Sequence, residues 1–326
     1  MMALTPLNDA HALQIQAGTV GRRAGHDFED HITQVINKMK YPVTIQSIGK
    51  EHVFKGDPGQ LLLQYIGSRL ETQKIVSASA ISTGALATSE AGKQWLTVNG
   101  SSVSRCKSDL ILTIGCGKGR NVTLGVSTKQ CNNKTPTNAQ LYFSTARAFA
   151  SMLNSHGITV STCAINALRQ FCGDVGFRPQ DNKKSLKGRK IDPRRFFWEE
   201  IDPQGRKEWE EVLSKHQDDV SRLLLQKAYT DDPIVPEYLL HKTKKSDSLT
   251  NVEVAIYSID ELVALSRAYQ GFATRSYSVR KGSHKDPDGV AHLAPRFGVI
   301  QMQRGGQAQH PEQLQFNLEA GYFYKI

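Results

Sequence analysis

Asp109, Ser127 and Lys129 are the residues whose types and spacing suit chemistry on a charged substrate. Asp109-Leu110-Ile111-Leu112-Thr113-Ile114 reads as one strand, and Val122 to Lys129 as its return. The Gly-rich run Gly115-Cys116-Gly117-Lys118-Gly119-Arg120-Asn121 makes the turn between them. In the returning strand Val122, Leu124 and Val126 alternate with Thr123, Gly125, Ser127 and Lys129, so the apolar set faces a core and the other set faces away. The hairpin then brings Asp109 to the end where Lys129 emerges. An acid and a lysine meeting there suit phosphodiester hydrolysis. That reaction needs an activated water and relief of charge on the phosphate, which a carboxylate-held divalent cation and an ammonium supply. Mg²⁺ prefers oxygen ligands and keeps several waters, so one or two carboxylates suffice. A lone Asp followed by Ser-x-Lys is a weak signal, and the plain alternative is a hairpin with a surface acid and a surface lysine.

The elements that must position this group are legible on either side. Phe28, Ile32, Val35, Ile36 and Met39 fall on one stripe and predict a helix over 20–40. At about 100° per residue, Glu29 lies on the border of that stripe with Arg22, while Asp30 points away. A border carboxylate can reach a sheet edge without entering the core, and Arg22 can meet a phosphate. Val43 to Ile48 alternates like a strand, Gln60 to Leu70 reads as a helix, and Ser77 to Gly92 reads as loop. After the hairpin a helix is predicted from Asn138 to Leu153, with Thr137 and Gln140 as its capping box. A short strand at Ile158 to Ser161 and a helix near Ala164 to Phe171 follow. Helices interleaved with a hairpin predict an α/β or α+β chain with a mixed central sheet flanked by helices.

The chain has 326 residues and a formal charge of +10, with 41 Lys and Arg against 31 Asp and Glu. That excess favours a polyanionic partner, nucleic acid being the commonest; its plain alternative is solubility alone. The five cysteines form no CxxC pair, which argues against a zinc ribbon, and their odd count argues against a disulfide scaffold. Met1 to Gly18 lacks the apolar run of a signal peptide, and no stretch approaches membrane-spanning length, so a cytoplasmic protein is expected.

Three parts are expected: a core over 1–176, an exposed basic connector over 177–207, and a strand-rich recognition part over 208–326. The connector carries Lys183, Lys184, Lys187, Arg189, Lys190, Arg194 and Arg195, followed by Phe196, Phe197 and Trp198, which either anchor it or enter a core. Residues 208–230 read as helix. Strands are predicted at Val252–Tyr257, Ala273–Val279, Phe297–Gln303 and Leu314–Leu318, with a helix after the first capped by Ser258 and Glu261. Gln301, Gln303, Arg304, Gln315 and Asn317 carry side chains that can pair with base edges in two places at once, and Arg275, Arg280, Lys281, His284 and Lys285 form a basic patch for phosphates. The alternative for each polar residue is the outer face of a sheet.

Lys107-Ser108-Asp109 with Val126-Ser127-Thr128-Lys129-Gln130 resembles the paired half-motifs of the PD-(D/E)xK nuclease superfamily, type II restriction endonucleases above all. Gly21-Arg22-Arg23-Ala24-Gly25-His26-Asp27-Phe28-Glu29 resembles the front helix of several such families, where a Glu leans over the active site. The segments Arg296 to Gln307 and Gln313 to Leu318 resemble the end of some of their sequences. The likeness leaves 178–250 unmatched. It departs from the family pattern at Ser127, where an acid is usual and which cannot serve as an anionic ligand. It implies Glu29, Asp109, Ser127 and Lys129 as catalytic residues, with Mg²⁺ held by Asp109, Glu29 and the Thr128 carbonyl. It also implies DNA contacts from Arg22 and Gln130, a double-stranded DNA substrate, a homodimer, and a cognate methyltransferase in the same system without a stable complex. A DNA-binding protein with a degenerate core is the rival kept alive by Ser127. A histidine-metal nuclease is disfavoured because His284, His292 and His310 are scattered. The Gly-rich turn lacks the phosphate-loop spacing.

Overall fold

A computed structural model describes residues 25–83, 96–98, 101–103, 106–182, 192–227, 234–279, 290–304 and 312–326. The front helix, α1, covers 25–38. It is followed by β1 (Val43–Thr44), β2 (Val53–Gly56), α2 (Pro58–Arg69), β3 (Lys74–Ile75), β4 (Ser77–Ser82), β5 (Leu96–Val98), β6 (Ser101–Val103), β7 (Leu110–Gly115) and β8 (Asn121–Gln130). Next come β9 (Ala139–Ser144), α3 (Ala146–Ser155), α4 (Thr162–Cys172), α5 (Pro203–Lys215) and α6 (Gln217–Gln226), then β10 (Pro236–Lys242) and β11 (Val252–Ser258). The chain ends with α7 (Ile259–Ser266), β12 (Phe272–Tyr277), β13 (His292–Phe297), β14 (Ile300–Arg304), β15 (Leu314–Leu318) and α8 (Ala320–Phe323).

These elements fall into two interleaved units, Met1–Thr137 with Gln226–Leu262, and Asn138–Leu225 with Val263–Ile326. Positions 176 and 207, where the chain was expected to divide, both lie inside the second unit.

The first unit is built on a six-stranded sheet in the order β2-β11-β10-β8-β7-β4. Strands β8 and β10 run parallel and every other pair antiparallel, so the sheet is mixed, as expected. Phe28, Ile32 and Ile36 of α1 join Leu62, Leu63, Tyr65 and Ile66 of α2 over Leu110, Leu112, Leu124, Val126, Leu240 and Val254. The apolar stripe of α1 and the alternation of β8 are thus the two halves of one core. The turn between β7 and β8 is where predicted. Gly117 and Gly119 take φ of +83° and +74°, the left-handed region that only glycine enters without cost. Part of the stretch read as loop is strand: Ser77–Ser82 pairs along the full length of β7. The Val43–Ile48 strand shrinks to two residues.

The second unit carries a five-stranded antiparallel sheet in the order β12-β13-β14-β15-β9. The helix expected from Asn138 is instead β9 followed by α3. Thr145, not Thr137, is its cap, accepting from the Ala148 N–H at 3.2 Å. Ala139 and Leu141 are buried between exposed neighbours, a period of two that belongs to a strand. Residues 158–160 form no strand; Ser161 caps α4 by accepting from the Ala164 N–H. The 208–230 helix is two, divided at His216. The described part of the basic connector is no free linker: Phe197, Trp198 and Ile201 are buried, and Asp192 binds the backbone and guanidinium of Arg194. Lys183, Lys184, Lys187, Arg189 and Lys190 lie outside the described residues. The strand at Leu314–Leu318 stands as predicted, and so does the capping pair, with Ser258 Oγ donating to Glu261 Oε2 at 2.9 Å and accepting from the Glu261 N–H at 3.1 Å.

Candidate active site

The β7–β8 register pairs Leu110 with Val126, which sets Asp109 opposite Ser127 and puts both on one face with Lys129. Three donors converge on Asp109 Oδ2: the Thr128 N–H at 2.6 Å, Ser127 Oγ at 3.1 Å and Lys129 Nζ at 3.4 Å. Lys129 Nζ also donates to Ser127 Oγ at 2.9 Å and to the Thr128 carbonyl at 2.6 Å. Ser127 thus links acid and ammonium without adding charge.

Close packing beneath this group holds Asp109 still. The Asp109 N–H donates to the Val126 carbonyl, and the Ser108 hydroxyl to Ile234 O. A Cβ at Gly125 would run into Ser108 Oγ and approach the Val235 carbonyl to 2.8 Å, so only glycine lets Ser108, and with it Asp109, sit this close.

Glu29 arrives from α1. Its first turn lies over the ends of β8 and β10, with Gln130 Nε2 donating to Gly25 O at 3.2 Å and Lys242 Nζ 5.9 Å from the Phe28 ring. That docking corrects the border position read from the helix alone: Glu29 is only 7 % exposed. Thr128 Oγ1 donates to Glu29 Oε1 at 2.8 Å. Oε2 is buried without a hydrogen bond, with His26 Nδ1 3.6 Å away. Burial pushes the Glu29 carboxyl up to about 7, the Asp109 carboxylate adds to the rise, and the Thr128 hydroxyl and Lys129 ammonium oppose it.

Among the described residues no three of His, Cys, Asp and Glu gather as a metal cluster. The donors present are two carboxylates and a backbone carbonyl, a hard oxygen set suited to Mg²⁺. The orphaned Oε2 of Glu29 and its mutual repulsion with Asp109 fit a divalent cation between them. Residues that sequence reasoning passed over are the Thr128 hydroxyl, His26 and His241. His241 is fully buried on β10 and in register with Lys129, and burial, then Lys129, pushes it down to about 4. The only advance signal was for His26, in the helix segment carrying Glu29.

The expected DNA contacts divide into groups. Arg22, Arg280 and Lys281 lie outside the described residues. Gln130 sits beside the site. Gln301 and Asn317 are corrected: at 8 % and 3 % exposed they face inward, Gln301 Oε1 accepting from Asn138 Nδ2 and Asn317 Oδ1 from Gln315 Nε2. Both lie on central strands, where alternate positions are covered on each face. Arg275, Gln303 and Arg304, together with the largely buried Gln301, border one pocket of the second unit.

Fold and site together define a mixed α/β chain carrying two carboxylates and a lysine at the end of a hairpin. No family model and no curated protein matches the chain. Among solved structures it is similar to the restriction endonuclease MspI in complex with its cognate DNA, at 12 % identity and a TM-score of 0.44, over 78 % of this chain and 75 % of that one. A likeness at that level bears on neither activity nor residues. Among the described residues no helix is long and apolar enough to cross a membrane.

Proposed function

We propose that this chain cuts double-stranded DNA at specific sequences by Mg²⁺-dependent phosphodiester hydrolysis, in the manner of a type II restriction endonuclease. The observation that carries this reading is the convergence of Glu29, Asp109 and Lys129, from three separate stretches of chain, through the hydrogen bonds of Ser127 and Thr128. Glu29, Asp109 and the Thr128 carbonyl are the groups to hold the metal. Bound there, Mg²⁺ supplies charge neutralisation at the phosphate and a more acidic water.

The chain's own residues do the rest. The Thr128 N–H and Ser127 hydroxyl fix the position of the Asp109 carboxylate by donating to it. Lys129 brings a positive charge to the open end of the hairpin, where it stabilises the negative charge that builds on the phosphoryl oxygens. Ser127 fixes both partners and contributes no charge of its own. Gln130 and the basic surface steer the polyanion. Two copies acting as a dimer suit a palindromic target, a methyltransferase protecting the same target completes the system, and the cytoplasm is the place for both.

Incubation with mixed-sequence plasmid and Mg²⁺ tests the proposal. Discrete fragments that vanish with EDTA are expected. Asp109→Ala and Lys129→Ala each abolish cutting while DNA binding survives. Normal cleavage by Asp109→Ala refutes the site. Gel shifts without cleavage at any divalent metal favour the rival, a DNA-binding protein whose neutral Ser127 marks a lost activity.

A further inference from the structure

A second concentration of charge lies wholly within the second unit. Arg195, Arg275 and Arg304 border a half-open pocket of about 270 Å³, with Tyr277, Phe171 and Gln303 among its other walls. At roughly 30 Å³ per water, it has room for about nine waters, or for one nucleotide-sized group. Arg195 and Arg304 repel one another across this space, while Arg275 at its rim pairs with Glu319. Burial, and next the Arg304 charge, push the Arg195 guanidinium down to about 10, so it still carries its proton at neutral pH.

Among the described residues the nearby carboxylates are shared or already engaged. Asp192 is bound by Arg194 through Nε and Nη2, each at 2.9 Å, and lies 3.8 Å from Arg195 Nε. One carboxylate therefore serves two arginines. Glu319 lies 3.2 Å from Arg275 Nη2, and Glu199 is engaged by His292 and the Leu293 N–H. Arg304 lies over the Phe197 ring, its guanidinium carbon 4.2 Å from the ring centre, and it is held by hydrogen bonds to Tyr277 and the Phe196 carbonyl. A fixed planar guanidinium beside a second one is matched to the tetrahedral oxygens of a phosphate, which can accept from both.

We infer that this pocket seats a single phosphate group, held by Arg195 and Arg304 with Arg275 at the rim. Naming a DNA backbone phosphate as its source rests on the nuclease reading above; a free nucleotide carries the same chemistry. Arg195 enters as a ligand-binding residue for which the connector's composition alone had given no position.

The experiment uses the full chain in EDTA, so that no cutting occurs. Inorganic phosphate and thymidine 5′-monophosphate are titrated by calorimetry, and a duplex by fluorescence anisotropy across a salt series. Arg195→Gln and Arg304→Gln are each expected to abolish phosphate binding. Each should weaken duplex binding on the order of tenfold at about 100 mM salt and reduce the slope of log K against log salt by about one. Arg267→Gln, at an exposed ion pair with Asp218, should change nothing. Thermal unfolding confirms that each variant is folded. If Arg195→Gln is not, Arg304→Gln and Arg275→Gln, the latter at a residue 59 % exposed, carry the test. A wild-type chain that binds the duplex, with folded variants matching its affinity and salt slope, overturns the pocket and leaves the nuclease reading standing. Phosphate binding lost in the variants, with no duplex binding by the wild type, keeps the pocket and removes the nuclease reading.

Discussion

Glu29→Gln gives the sharpest test of how the site is wired. The carboxyl is buried, and its value is raised from 4.5 to about 7, by burial first and Asp109 second. At 1.36 kcal/mol for each tenfold change, the ionised acid costs the metal-free fold about 3 kcal/mol well above pH 7. The sign follows from linkage. A group whose folded value lies above its unfolded one contributes stability that is complete below pH 4.5 and lost as pH rises through about 7. Glutamine has the shape of the protonated acid. Its Oε1 still accepts from Thr128, and its Nε2 faces His26 Nδ1. In EDTA the variant is therefore expected to match the wild type within about 1 kcal/mol at pH 5 and to exceed it by about 3 kcal/mol at pH 8. Denaturant titrations followed by circular dichroism at the two pH values read this directly. Mg²⁺ should then stabilise the wild type at pH 8 and leave the variant nearly unmoved, because the neutral amide is a poor ligand. A variant less stable than the wild type at pH 8, with the pH slope intact, would refute the assignment of a desolvated, repelled carboxylate.

The opposite sign is expected at His241. Burial holds it at about 4 against an ordinary 6.5, so its contribution is complete above 6.5 and lost as pH falls toward 4. That is about 3 kcal/mol of acid lability, and a folded His241→Gln chain should lack it in an acid-unfolding titration. At Gly125 a methyl group meets Ser108 and the Val235 carbonyl. Gly125→Ala should cost about 1–3 kcal/mol by chemical denaturation and reduce cleavage far more than Ala substitution at the exposed Gly119 turn position reduces it.

The hairpin was legible because Val122, Leu124 and Val126 alternate with more polar or smaller residues and glycines mark the turn, although burial runs unbroken from Leu124 to Thr128 and Ile111 is buried on the other face. Asp109, Ser127 and Lys129 came together for that reason. The burial of Glu29 was not legible: a helical wheel shows which side of α1 is apolar, and Glu29 is buried where α1 docks on β8, against Thr128. Strand β10 escaped notice because it lies between two other strands and carries His241 and Lys242, whose polarity hides its buried pattern. In β13, Pro295 obscured the strand, although the Arg296–Phe297 end still pairs with β14. The 138–153 segment misled because alanine, leucine and phenylalanine suit both periods, and only the pairing of β9 with β15 selects the strand.

The parallel contact between β8 and β10 ties the β7–β8 hairpin to chain that lies more than a hundred residues downstream. On the ribosome, Asp109 and Lys129 emerge early but lack their lateral neighbour until residue 242 has been made, after the whole 138–225 insertion. Truncation before that point leaves β8 as a bare margin of exposed amides, open to strange partners. A shortened chain ending in the insertion should accordingly be recovered as aggregate rather than as a small, working enzyme.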